Sequence, residues 1–250
     1  MRHLLIALQF LTILPLPSPK RCEAGDLGRS TAWFPLAGLM IGGLLWLADL
    51  VLAPLFPRHL TDALLVVLLA IITGGLHLDG LADVCDGLAA RGDKHRFLEV
   101  MKDSHVGAIG VVGLVAGLLI KYAALLAVPI DLKRPALLLV PALARFAQLV
   151  VLADSRAARP DGLGSAFLAG LGPNQLVLAT ATILPLAWFS LQLAGLVAWL
   201  SVTLWALLTR WYFTRRLGGI SGDIVGCTSE TSELLALLAV VATTAILTWI

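Results

Sequence analysis

The chain has 250 residues, 59% of them hydrophobic and only 14% charged, with a formal net charge of +2. A mean hydropathy of +0.92 excludes an ordinary soluble domain. So small a positive excess, scattered without a polybasic tract, excludes a nucleic-acid binder. What remains is a membrane protein, whose lipid-facing surface must be as apolar as its core, so that charge is driven into the connections.

The chain opens on "MRHLLIALQFLTILPLP", a basic start followed by an apolar stretch of signal-peptide length. Pro15, Pro17 and Pro19 follow without a small-residue cleavage site, so the segment is expected to stay in the mature protein. It is shorter than the ~20 residues a span needs, which makes it a buried or interfacial helix. Apolar segments of near-spanning length then fall at 33–54, 60–76, 107–128, 136–153, 176–191, 193–209 and 234–250. The expected fold is an all-α polytopic membrane protein, one integral domain over 1–250, with about seven spans. Six or eight are the neighbouring counts, because the break at "SLQLAG" is a weak loop signal. Cys22, Cys85 and Cys227 are far apart with no CxxC pair, and are expected to be free thiols. The bilayer is the expected partner, and a homo-oligomer is compatible with the sequence.

With that topology Arg2, Lys20, Arg21, Arg29, Arg91, Lys94, Arg96, Lys102, Arg156, Arg159, Arg210, Arg215 and Arg216 fall on one side, and Arg58, Lys133 and Arg134 on the other. The first side is therefore expected to be cytoplasmic. Lys121 is close enough to a span end to snorkel. Arg145, deeper in "PALARFAQLV", is either half of a structural ion pair or a contact for an anionic substrate. Three polar segments, 77–105, 154–175 and 210–233, converge on the cytoplasmic face. No internal repeat stands out, which weighs against a transporter.

The first of those segments, "HLDGLADVCDGLAARGDKHRFLEVMKDSH", concentrates acids in an acid-poor chain. Asp79, Asp83 and Asp86 stand at i, i+4 and i+7, one stripe of an α-helix. Their mutual repulsion calls for a cation, and dense oxygen ligands suit Mg²⁺, with Mn²⁺ the alternative, rather than zinc. The competing reading is a solvated acidic helix end. Gly80 and Gly87, each costing about 1 kcal/mol in a helix relative to Ala, speak against it, since small residues admit a phosphate or another backbone.

Residues 83–91, "DVCDGLAAR", resemble the opening DxxDGxxAR of the CDP-alcohol phosphotransferases, small helical membrane enzymes that bind divalent metals through these acids. The continuation of their signature, GxxxDxxxD, is absent; Asp103 is the best candidate for a further ligand. A longer resemblance runs through "QFLTILPLP", "HLDGLADVCDG", "VMKDSHVGAIG" and "GGISGDIVGC", in order, to the cobalamin synthase (adenosylcobinamide-GDP ribazoletransferase) family. The chain departs from that pattern at His105, Ser221 and Cys227, where Arg, Thr and Ala are expected.

The longer resemblance implies an enzyme of a late step of cobalamin biosynthesis in the bacterial inner membrane, its site facing the cytoplasm. In that reaction α-ribazole, free or as its 5′-phosphate, attacks adenosylcobinamide-GDP, GMP leaves, and Mg²⁺ is required. The implied metal ligands are Asp79, Asp83, Asp86 and Asp103, with Asp83 and Asp86 also catalytic. Arg91 and Lys102 are the better candidates to grip phosphate, with Ser104 beside them. His77 could be a ligand, a partner of a ligand, a proton acceptor or a structural histidine. In "RLGGISGDIVGCTSETSE", Gly218, Gly219, Ser221 and Gly222 are expected to bind substrate, with Asp223 as general base or extra ligand. Two other readings stand beside this one: a CDP-alcohol phosphotransferase releasing CMP, and a cation-coupled transporter with the acids along an ion path.

Overall fold

A computed structural model describes residues 2–17, 23, 25–90, 92–159 and 162–249. Lys20, Arg21, Cys22 and Arg91, singled out above, lie outside the described residues. The helices are α1 (Arg2–Leu11), α2 (Asp26–Ser30), α3 (Phe34–Leu52), α4 (Arg58–Ile72), α5 (Leu76–Ala89), α6 (Lys94–Val100), α7 (Ala108–Ala127), α8 (Ile130–Leu152), α9 (Leu163–Leu168), α10 (Pro173–Leu217) and α11 (Gly222–Trp249). Among the described residues there is no β-strand, only an isolated bridge between Ala157 and Ile220.

Five helical stretches are long and apolar enough to span a bilayer, and the bent pair α4–α5 makes a sixth. One of the five, α10, breaks at Gln192, whose φ of 50° and ψ of −130° are non-helical. The chain doubles back there. Pro185 and Trp188 of the first arm share one recess with Leu196 and Trp199 of the second. Gly195 permits this, because a Cβ on it would strike the Ala187 carbonyl. With arms 173–191 and 193–217 counted separately, the protein has six or seven spans, and the weak signal at "SLQLAG" marks a real hairpin.

The central helix is α8, with 89% of its span buried beneath α3, α10 and α11. Residues apolar all round belong in such a position. Gly42 of α3 lets the two backbones meet: a Cβ there would lie 2.5 Å from the Leu138 carbonyl oxygen, the small-residue contact by which helices pack in membranes. Val177, Phe189, Leu204 and Ile246 point outward and exposed, as a lipid-facing surface requires. Helix α1 is half embedded in the bundle, with Ile6, Ala7, Leu8 and Leu11 buried, as its length suggested.

At one end of the bundle the few cations of the basic-poor side are all paired. Arg58 binds Asp49 (2.5 Å) and Asp62 (2.9 Å), Lys133 binds Asp62 (2.9 Å), and Arg134 binds Asp49 (3.0 Å). Two expectations are corrected here. Lys121 does not snorkel: it is buried and pairs with Glu230 (2.5 Å) and Glu233 (2.5 Å). The last span, expected over 234–250, begins earlier: 222–233, part of the polar segment 210–233, is the first half of α11. Thr228 and Thr231 return their hydroxyls to the Ile224 and Cys227 carbonyls (2.6 and 2.7 Å), and two of the three acids in the stretch, Glu230 and Glu233, are paired inside the bundle.

At the α4–α5 junction Gly74 (φ 61°) and Gly75 (φ 69°) are both left-handed, a conformation glycine adopts without penalty. The axis turns by 89° and sends α5, with its acids, between α7 and α11.

Candidate functional site

The three polar segments do converge. Ala158 N–H donates to the Ile220 carbonyl (3.0 Å), Ile220 N–H to the Arg156 carbonyl (2.8 Å), and Arg159 Nη2 to the Leu98 carbonyl (2.7 Å). They close a cavity of about 140 Å³ between His77 and Asp79 of α5, Gln148 of α8, Arg159, the glycines Gly162 and Gly164, and Ser221, Gly222 and Asp223 at the start of α11. Phe10 and Phe167 pack edge to face (4.6 Å between centroids) at its apolar side.

Helix α5 carries the acid stripe, and its members part company. Asp79 is exposed to the cavity. Asp83, half-buried on the next turn, lies within electrostatic reach of Asp79, Asp223, Asp86 and Arg159. Asp86 serves another end: its Oδ2 accepts the Gly107 N–H and its Oδ1 the Gly110 N–H, both at 2.7 Å. It caps the start of α7, satisfying two of the amides that every helix leaves open. Gly80 permits the crossing of α5 on α11, since a Cβ would sit 2.6 Å from the Asp223 carbonyl oxygen. Of the two ligands glycine was expected to admit, phosphate or backbone, the backbone is the one found there.

Asp103 lies away from the cavity, exposed, with its Oδ1 accepting the His105 N–H (3.0 Å) and meeting the ring Nδ1 (2.7 Å). That amide, and then the ring, hold the Asp103 carboxyl below its usual range. It shapes the turn into α7. Ser104 is exposed in the same turn, and Lys102 lines a separate cleft. The expected four-acid cluster is therefore not assembled: among the described residues no three His, Cys, Asp or Glu side chains stand close enough to share an ion.

His77 is buried, with Nε2 2.7 Å from the Gln148 amide nitrogen and Nδ1 3.4 Å from Arg145 Nη2. Gln148 Oε1 has no partner, so turning the amide over gives His77 Nε2–H an acceptor. Arg145 is fully buried and pairs with Glu233, outside the cavity wall. Of its two expected roles the ion pair is the one the geometry carries. Glu230, Glu233, Gln148 and Arg159 were not found from sequence. Two glutamates three apart in an apolar segment, facing two cations in other spans, were the available signal for the first pair.

Of the third motif, Ser221, Gly222 and Asp223 line the cavity. Ser221 Oγ accepts the Ile224 N–H (3.3 Å), capping α11, and lies 3.4 Å from Asp223 Oδ2. Gly218 and Gly219 stay off the wall: Gly218 (φ 77°) ends α10, and Gly219 passes against the Arg156 carbonyl.

Two carboxylates, Asp79 and Asp223, thus face one guanidinium, Arg159, among the described lining residues. A diphosphate entering alone would be repelled. Mg²⁺ ordinarily takes one or two carboxylates together with substrate phosphate oxygens and water. The hard oxygens of Asp79 and Asp223 fit a cation shared in that way and do not fit a cage built from protein alone.

Fold and site together define a polytopic α-helical membrane protein with an acid-walled cavity suited to phosphate chemistry at one end of its bundle. Residues 3–241 match the cobalamin-5-phosphate synthase (CobS) family, and the chain belongs to it. It is 51% identical over 242 residues to the adenosylcobinamide-GDP ribazoletransferase of Geotalea daltonii, an alignment covering 97% of this chain and 98% of that one. Proteins of the same name from Desulfitobacterium hafniense (41% identity, 95% and 96% covered) and Stutzerimonas stutzeri (42%, 95% and 97%) are also similar. No solved structure matches. Membership decides between the two resemblances in favour of the longer one.

Proposed function

We propose that this protein transfers the adenosylcobinamide-phosphate group of adenosylcobinamide-GDP to α-ribazole or its 5′-phosphate, releasing GMP. The relatives' names point to this reaction, and the observation that carries it in this chain is the cavity itself, which Asp79, Ser221 and Asp223 from two separated motifs line together. A ribazole hydroxyl oxygen attacks the phosphorus on the corrinoid side. The bond from that phosphorus to the bridging oxygen breaks, and the oxygen departs with GMP. Asp223 takes the hydroxyl proton, with Ser221 at 3.4 Å holding its carboxylate. Asp79 and Asp223 would hold Mg²⁺ together with the substrate, and the ion would supply charge neutralisation for the departing phosphate. His77, a buried residue of the cavity lining, is held in place by Gln148.

The basic-rich end carrying the cavity faces the cytoplasm of a bacterial inner membrane by the positive-inside rule. The macrocycle, too large for 140 Å³, stays at the cavity mouth. Purified protein given adenosylcobinamide-GDP, α-ribazole and Mg²⁺ is expected to yield GMP and a complete corrinoid, and to stop on addition of EDTA. No GMP with any divalent metal would end this assignment.

A further inference from the structure

Arg159 stands where two openings meet. It lines the acid-walled cavity and also a larger cleft, of about 490 Å³, along α6. The cleft holds Lys94, Lys102 and His95 together with Asp93 and Glu99. Both acids are engaged locally: Asp93 accepts the Arg96 N–H (3.1 Å), and Glu99 pairs with the Arg96 guanidinium (2.8 Å). Among the described residues no carboxylate pairs with Lys94 or Lys102. The cleft therefore keeps an uncompensated positive charge beside a cavity whose own wall is acidic.

Arg159 is anchored and under-used. Its Nη2 binds the Leu98 carbonyl (2.7 Å), its Nε is buried without a partner, and it lies within electrostatic reach of Asp83 and Asp223. A guanidinium so held keeps donors in a fixed fork, the geometry that grips phosphate. The sizes also divide the labour. Ligands of drug-like size occupy about 300–1,000 Å³, a range that includes the cleft at about 490 Å³ and excludes the cavity at about 140 Å³.

We infer that the cleft along α6 binds the nucleoside monophosphate half of the substrate, with Arg159 gripping the phosphate that departs with it. The inference rests on the reaction proposed above and adds where its leaving group sits. The bond breaks in the acidic cavity, and GMP leaves toward Lys94 and Lys102, not past the carboxylates.

The test is GMP affinity, by calorimetry on the full-length protein in detergent, with the KM of each substrate measured alongside. Arg159→Gln, and separately the double variant Lys94→Ala/Lys102→Ala on the exposed face, are expected to weaken GMP binding about tenfold or more, as loss of a charge-assisted contact does. They should raise the KM for adenosylcobinamide-GDP and leave that for α-ribazole unchanged. Unaltered GMP affinity in both variants overturns the cleft assignment. GMP binding that depends on Arg159, in a protein that releases no GMP from substrate, supports the cleft and removes the reaction instead.

Discussion

Asp86 Oδ1 accepts the Gly110 amide at 2.7 Å, tying the acid stripe of α5 to the first turn of α7. The contact needs glycine, because a Cβ at 110 would collide with the carboxylate, and one at 107 would come within 2.5 Å of it. An acid that sequence spacing placed with the metal ligands thus holds two helices together.

Removing that cap should act on stability. Asp86→Ala leaves two helix-end amides without their acceptor and is expected to lower stability by ~1–3 kcal/mol, with Gly110→Ala acting in the same direction through overpacking. Thermal denaturation in detergent checks this. A melting temperature for Asp86→Ala equal to that of the unaltered protein would contradict the capping role.

Asp79→Asn and Asp223→Asn change charge on the cavity wall and little else. Each is expected to reduce GMP release by about 10²-fold or more, the scale of losing a positioned acid–base or charge-stabilising group, while the melting temperature stays near normal. Retained turnover in both variants would remove the acid wall from the chemistry.

Glu233 is shared by Lys121 and Arg145 inside the bundle. Glu233→Gln leaves Arg145 uncompensated, and breaking a buried pair typically costs 3–5 kcal/mol. Low yield in the membrane and a large drop in melting temperature are expected. A variant as stable as the parent would show that these charges find other partners.

Sidedness is open to labelling. In a background with its own cysteines replaced by serine, Asp131→Cys should react with an impermeant thiol reagent on intact cells. His95→Cys, on the exposed face of α6 at the other end of the bundle, should react only after permeabilisation. The reverse pattern would invert the orientation.

Much of the site was legible because its motifs are local. Asp79 and Asp83 lie on one helix as their spacing required, and "GGISGD" supplied Ser221, Gly222 and Asp223 to the cavity wall. The polar run 222–233 was left outside the last span because its partners are remote. Glu230 and Glu233 become tolerable in a membrane helix only beside Lys121, which is 109 and 112 residues away. Arg159 was placed only among the cations of the cytoplasmic side, not at the site, for the same reason: its bond to Leu98 spans 61 residues.

Composition and hydropathy alone determined that this is a helical membrane protein, since lipid admits only backbones that satisfy themselves. Motif order determined its family. Only the tertiary structure decided which acids stay together: the turn at Gly74–Gly75 sends α5 inward, Asp86 goes to α7, Asp103 to His105, and Asp79 lines one cavity with Asp223. A helical period fixes which side chains share a face, but not what that face will meet, and a charge in low dielectric is governed by what it meets.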